Sequence, residues 1–130
     1  MTSGLVLALA TLLGSGRWTV VATVPRTDHL TALLASAVVG FIEEGIFRGV
    51  LQTQLVAWLG RWRGLLLGAA LFGLWHIPQR LLAGLRGTDL VASLVPVLVV
   101  GIVLGLFMLV VRNTVGPALL HTGLDWIERL

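Results

Sequence analysis

Two adjacent carboxylates and a guanidinium stand inside the run FIEEGIFRG, where Glu43, Glu44 and Arg48 are surrounded by apolar residues. Two imidazoles keep similar company further on. His76 lies in LFGLWHIPQ and His121 in ALLHTGLDW, with Asp125 four residues after His121 and so on the same helix face. Carboxylates and imidazoles are the groups that take and return protons in hydrolysis, and a poorly solvated carboxylate holds a proton more readily than one in water.

The setting makes these residues costly. Each charge at the centre of a membrane helix costs roughly 2.5 to 3.5 kcal/mol, so Glu43, Glu44 and Arg48 together cost about 9 kcal/mol. The apolar residues of the same helix return about 4 to 8 kcal/mol on that scale. The charges must therefore face protein or water. Ser36, Gly40, Glu44, Arg48 and Gln52 recur every four residues, with Glu43 beside them, and form one polar stripe on an apolar helix. Glu44 and Arg48 are spaced to pair along it, which would leave Glu43 as the carboxylate free to act. The bland alternative is an ion-pair network that only holds helices together. His29, with no such neighbours, is expected in a loop.

The elements that must carry these groups follow from composition. The 130 residues are 57% hydrophobic and 12% charged, with a mean hydropathy of +0.99, where soluble domains are about one quarter charged. The chain is expected to be an all-α, polytopic transmembrane helix bundle of four to five helices, the last one short, forming a single integral-membrane domain over 1–130. All nine basic residues are arginines, scattered singly or in pairs and mainly between apolar runs, so no clustered basic face exists for nucleic acid. With no cysteine there is no disulfide, thiolate metal site or cysteine nucleophile.

The first helix is expected to run to about Val24. The second covers about Leu30 to Leu59, capped by Thr27 and Asp28 and closed at Gly60; the third covers Gly64 to about Ala83, with Pro78 inside it. The fourth continues from caps at Thr88 and Asp89 to Val111. These are long enough to cross a hydrocarbon core of roughly 30 Å, and backbone satisfaction in lipid makes them helices. Pro117 fits the first turn of a last helix preceded by Asn113 or Thr114; at about 1.5 Å per residue its ~21 Å falls short of a crossing. Gly45 and Gly49, Gly64 and Gly68, and Gly101 and Gly105 form pairs that let helices approach closely. Trp58, Trp62 and Trp126 suit a membrane interface, and the loop arginines divide evenly, Arg61, Arg63 and Arg112 on one side and Arg26, Arg80 and Arg86 on the other, so they set no orientation.

The motifs resemble those of the CAAX protease and bacteriocin-processing (Abi) family of intramembrane proteases. EEGIFR at 43–48 is similar to its Glu-Glu-x-x-x-Arg motif, FGLWH at 72–76 to its Phe-x-x-x-His motif, and HTGLD at 121–125 to its His-x-x-x-Asn/Asp motif. All three occur in order over about residues 30–128. The resemblance implies that Glu43 and His76 activate a water for attack on a peptide carbonyl, that His121 and Asp125 stabilise the oxyanion, and that Glu44, Arg48 and Phe72 support them. Asp125 departs from the Asn of many members, and an ionised aspartate cannot donate to an oxyanion; it can instead orient His121 or pair with Arg129. No cofactor is firmly implied. Zinc is open, because Glu43, His76 and His121 offer ligands, but there is no His-Glu-x-x-His motif, which favours a water held by protein groups alone.

The implied partners are the bilayer and a membrane-anchored peptide or protein substrate, and the expected location is the plasma membrane of a prokaryote. A membrane immunity or binding protein that keeps the pocket without cleaving is the alternative reading. A proton-linked carrier is a third, since intramembrane Glu and His also mark proton paths, but it gives no reason for three motif spacings.

Overall fold

Pro25 opens the first helix of the computed structural model, which describes residues 25–129. The helix expected before Val24 lies outside the described residues. Helix α1 spans Arg26–Glu44, and the amides of Asp28 and His29 donate to the Pro25 carbonyl at 3.0 and 3.2 Å. Thr27 and Asp28 thus sit in the first turn rather than capping it. The fixed φ of proline makes Pro25 the better entry. His29 is likewise helical, with its ring 5.7 Å from that of Trp126.

A π-helical segment, Gly45–Gln52, follows α1 directly, and α2 continues over Thr53–Leu59. The Thr53 hydroxyl donates to the Arg48 carbonyl at 2.9 Å. Such wide turns recur at functional sites, and here the widening has a geometric use. A four-residue step overshoots one α-helical turn by ~40° but falls short of a π turn, so the two drifts oppose. The four-residue stripe stays on one side for longer than it would on a plain α-helix. Ser36, Gly40 and Glu44 are the buried residues of α1 and Phe47, Arg48 and Gln52 those of the π segment, so all five stripe positions are buried.

Gly60, at φ 81°, ends α2. Helix α3 spans Arg61–Trp75, α4 Ile77–Leu82, α5 Gly87–Val111 and α6 Val115–Arg129. The expected third helix is therefore broken in two at His76, because Pro78 lacks an amide and its ring crowds the preceding turn. Thr88 and Asp89 fall inside the first turn of α5 instead of ahead of it, where the Asp89 and Leu90 amides donate to the Arg86 carbonyl, both at 3.2 Å. Asn113 does what was expected of it, its Oδ1 accepting from the Gly116 amide at 3.2 Å as α6 begins.

Three stretches, Arg26–Leu59, Arg61–Leu82 and Gly87–Val111, are long and apolar enough to cross a membrane; α6 is too short. Among the described residues there is no strand. The fold is all-α and membrane-spanning in character, and large apolar side chains such as Leu30, Leu34, Val38, Leu66, Leu74 and Val91 are exposed on the helices, as lipid-facing surface requires.

The described residues divide into two compact units, one holding residues 25–46 with 111–129, the other Phe47–Val110. In the first, α1 packs along α6. Gly40 allows the approach: a Cβ there would meet Thr122 Oγ1 at 2.7 Å and the Thr122 and Ala118 backbones at 3.1 and 3.2 Å. In the second, α2 packs on α3 across Gly64, where a Cβ would lie 2.5 Å from the Val56 nitrogen. Phe47, Leu65, Ala69, Phe72 and Leu104 are its buried apolar residues. Of the three glycine pairs, those at 64/68 and 101/105 face close neighbours, but a Cβ at Gly45 would meet nothing within 4 Å.

Candidate active site

In the first unit, α1 ends on Glu43 and Glu44 while α6 brings His121 and Asp125 one turn apart. Glu44 is fully buried and His121 nearly so. His121 Nδ1 lies 3.1 Å from Glu44 Oε1. On the other side of the ring, Nε2 lies 3.4 Å from Asp125 Oδ1 and 3.9 Å from Glu43 Oε2. Three carboxylates thus surround one imidazole. Since an ionised carboxylate only accepts, each ring nitrogen that bonds one must carry a proton, and a ring that donates at both is the cation. The contact to Asp125 is long for a hydrogen bond, so the Nε2 proton is open to a closer acceptor.

Asp125 is used twice. Its Oδ1 faces His121, and its Oδ2 lies 3.9 Å from Arg129 Nη2. Asp125 thus lies beside both of the partners that the sequence leaves for it, His121 and Arg129.

In the second unit, Arg48 is buried to 1% exposure. Its Nη2 donates to the Gly101 carbonyl at 2.9 Å, and its guanidinium lies 4.3 Å from the centre of the Phe72 ring. Gln52, one step further along the stripe, donates to the Gly105 carbonyl at 2.9 Å. The two glycines of α5 leave room for both side chains to reach its backbone. A desolvated cation over an aromatic face gains about 2 kcal/mol or more, which offsets part of the cost of burying Arg48.

Phe72 also holds His76. The two rings are 4.8 Å apart, and His76 Nδ1 donates to the Phe72 carbonyl at 2.9 Å. That carbonyl is open because the His76 amide turns instead to Gly73, at 3.1 Å, where Pro78 breaks the helix. With Nδ1 as donor, the neutral ring has its lone pair on Nε2, the form suited to accept a proton from water or to bind a metal. Phe47 closes the group, edge-on to Phe72 at 5.1 Å.

Seen by unit, Glu43, Glu44, His121 and Asp125 come together in one, and Arg48, Phe72 and His76 in the other. The bond between Glu44 and His121 has no signal in local spacing, because 77 residues separate them. The same holds for Arg48 and Gly101, 53 residues apart; only the Gly101/Gly105 pair hints that α5 is approached there. Among the described residues, no three His, Cys, Asp or Glu side chains are gathered as a metal ion requires.

The sequence model of the type II CAAX prenyl endopeptidase Rce1-like family matches residues 25–127. The chain belongs to the Rce1-like family. The match takes in all three motifs and all of the helices described above except the last two residues of α6. No curated protein and no solved structure matches the chain. As an Rce1-like protein it is, in general terms, an integral membrane protein of the CAAX-type endopeptidases, with a peptide for substrate.

Proposed function

We propose that this Rce1-like chain cleaves membrane-anchored peptides on the C-terminal side of a prenylated cysteine, with Glu43 and His76 activating the attacking water. In a Cys-a-a-X terminus the lipid sits on the cysteine, three residues from the free carboxylate. Hydrolysis there releases a three-residue acid and leaves the anchored cysteine as the new end.

The observation that carries this reading is the His121 imidazole between Glu44 and the pair Glu43 and Asp125, which joins the first and third motifs in one cluster. Glu43 takes a proton from water as the oxygen attacks the carbonyl carbon, assisted by the lone pair at His76 Nε2; when the tetrahedral intermediate collapses, the C–N bond breaks and the proton held by Glu43 passes to the departing amine. The developing oxyanion accepts a hydrogen bond from His121 Nε2–H. Asp125 does not contact the oxyanion in this scheme, since it cannot donate; it orients His121. Glu44 keeps the ring protonated, and Arg48 and Phe72 hold the backbone and the His76 ring in place. Preorganised donors of this kind contribute about 10²- to 10³-fold each to turnover.

We take the water to be held by protein groups without zinc. What supports this is that both nitrogens of His121 face carboxylates, so the ring has no lone pair to offer a metal. The test is release of a C-terminal tripeptide from a prenylated peptide by purified protein in vesicles. No release under any lipid composition would sink the proposal.

A further inference from the structure

Two arginines flank the end of α4, and they are used differently. Arg86 donates through Nη1 to the Leu81 and Leu85 carbonyls, each at 2.7 Å, and closes the end of the helix. Arg80, in the last turn of α4, is half-buried, and its Nε is shielded from solvent without an acceptor among the described residues. A buried donor left unpaired is costly. Such a donor is supplied with an acceptor when a ligand arrives.

The position of Arg80 indicates which ligand. Its amide donates to the His76 carbonyl at 3.1 Å, so the two residues stand one turn apart, about 6 Å along the axis, and on one face. A substrate cut beside His76 ends in a carboxylate three residues further on, which in extended form lies at most ~10 Å from the cut. A guanidinium on a long side chain, one turn beyond the histidine, reaches that point. Guanidinium and carboxylate match in shape as well as charge, two N–H groups to two oxygens.

We propose that Arg80 binds the free C-terminal carboxylate of the substrate, and so restricts cleavage to peptides whose end lies about three residues past the cut. This rests on the endopeptidase reading above. It adds to that reading a residue outside the three motifs and a reason for acting near a chain end. A charge-assisted hydrogen bond contributes about 1.5–3 kcal/mol, which is roughly tenfold or more in affinity.

The experiment compares prenylated peptides ending in a free acid and in an amide, with wild-type protein and Arg80→Gln in phosphatidylcholine vesicles. Wild type should prefer the acid by about tenfold or more in kcat/KM. Arg80→Gln should lose that preference while cleaving the amide at the wild-type rate, which also shows that it is folded. Arg80→Lys should keep part of the preference. Equal cleavage of acid and amide by wild type overturns the proposal, as does an Arg80→Gln variant that loses both equally, the result expected if Arg80 only complements the helix dipole. So does an Arg80 effect that follows added phosphatidylglycerol rather than the peptide end, which would assign Arg80 to lipid phosphate. A second arm needs no turnover: a tripeptide acid should raise the thermal midpoint of wild type and not of Arg80→Gln. If no peptide is cleaved, the endopeptidase reading fails, and equal shifts by tripeptide acid and amide would overturn the role of Arg80 separately.

Discussion

His121 Nδ1 and Glu44 Oε1 are 3.1 Å apart in a setting where Glu44 is fully buried and His121 nearly so. A buried carboxylate against an imidazole holds the ring in one orientation and favours its protonated form. In the proposed mechanism Glu44 acts on the reaction through His121 and not on the substrate.

Replacing Glu44 with Gln keeps the shape and removes the charge. The expected outcome is a fall in kcat of about 10- to 100-fold with little change in KM, because the loss is felt when the oxyanion forms. Steady-state cleavage of a prenylated peptide measures it. A change confined to KM would place Glu44 in substrate binding instead.

Asp125 gives a second, sharper comparison. Asp125→Asn substitutes a side chain of the same shape that can donate as well as accept. Activity should stay within about tenfold of wild type, while Asp125→Ala, which leaves His121 unsupported on that side, should lose about 10²-fold or more. If Asn and Ala variants fall together, the carboxylate has a role that orientation of His121 does not describe.

Gly40 sets the distance at which this pair meets. A Cβ at Gly40 would lie 2.7 Å from Thr122 Oγ1 and close to two backbone atoms of α6, so Gly40→Ala should push α6 outward at a cost of about 1–3 kcal/mol. Adding Thr122→Ala removes the shortest of these contacts and should restore part of the stability. Thermal unfolding of the single and double variants in detergent reads both, and simple additivity would argue against the contact.

In the second unit, Phe72 supports a cation, a histidine ring and the edge of Phe47. Phe72→Ala should destabilise by about 3–5 kcal/mol, as expected for loss of a buried ring. Phe72→Leu fills the space without offering an aromatic face to Arg48. It should fold and still lose about 0.5–2 kcal/mol, the range for a cation–π contact.

Much of this was legible along the chain, and the limits have physical causes. The four-residue stripe from Ser36 to Gln52 announces its burial because charge in an apolar helix has few places to go, and every stripe residue is buried. The π turns that prolong the stripe have no sequence signature of their own. Pro78 marked the third helix as irregular, yet the break falls at His76 because the proline acts on the turn before it. Helix starts were placed late at Arg26 and Gly87, where Pro25 and the Arg86 carbonyl serve as the cap instead of Thr and Asp side chains. The three motifs singled out Glu43, Glu44, Arg48, Phe72, His76, His121 and Asp125, but not who meets whom. Glu44 with His121, and Arg48 with Gly101 and Phe72, are pairings made by tertiary packing across 77, 53 and 24 residues. Periodicity describes one helix at a time and does not reach that far.

The central claim is that Glu43 is the base for a water held without zinc, and one set of turnover measurements tests it most directly. Purified wild-type protein and Glu43→Gln are each given a prenylated peptide, with and without a strong chelator, and tripeptide release is followed. The account predicts wild-type turnover unchanged by the chelator and lowered at least ~100-fold by Glu43→Gln, the contribution expected of a general base. Wild-type turnover abolished by the chelator and restored by zinc, or Glu43→Gln cleaving at the wild-type rate, would contradict it.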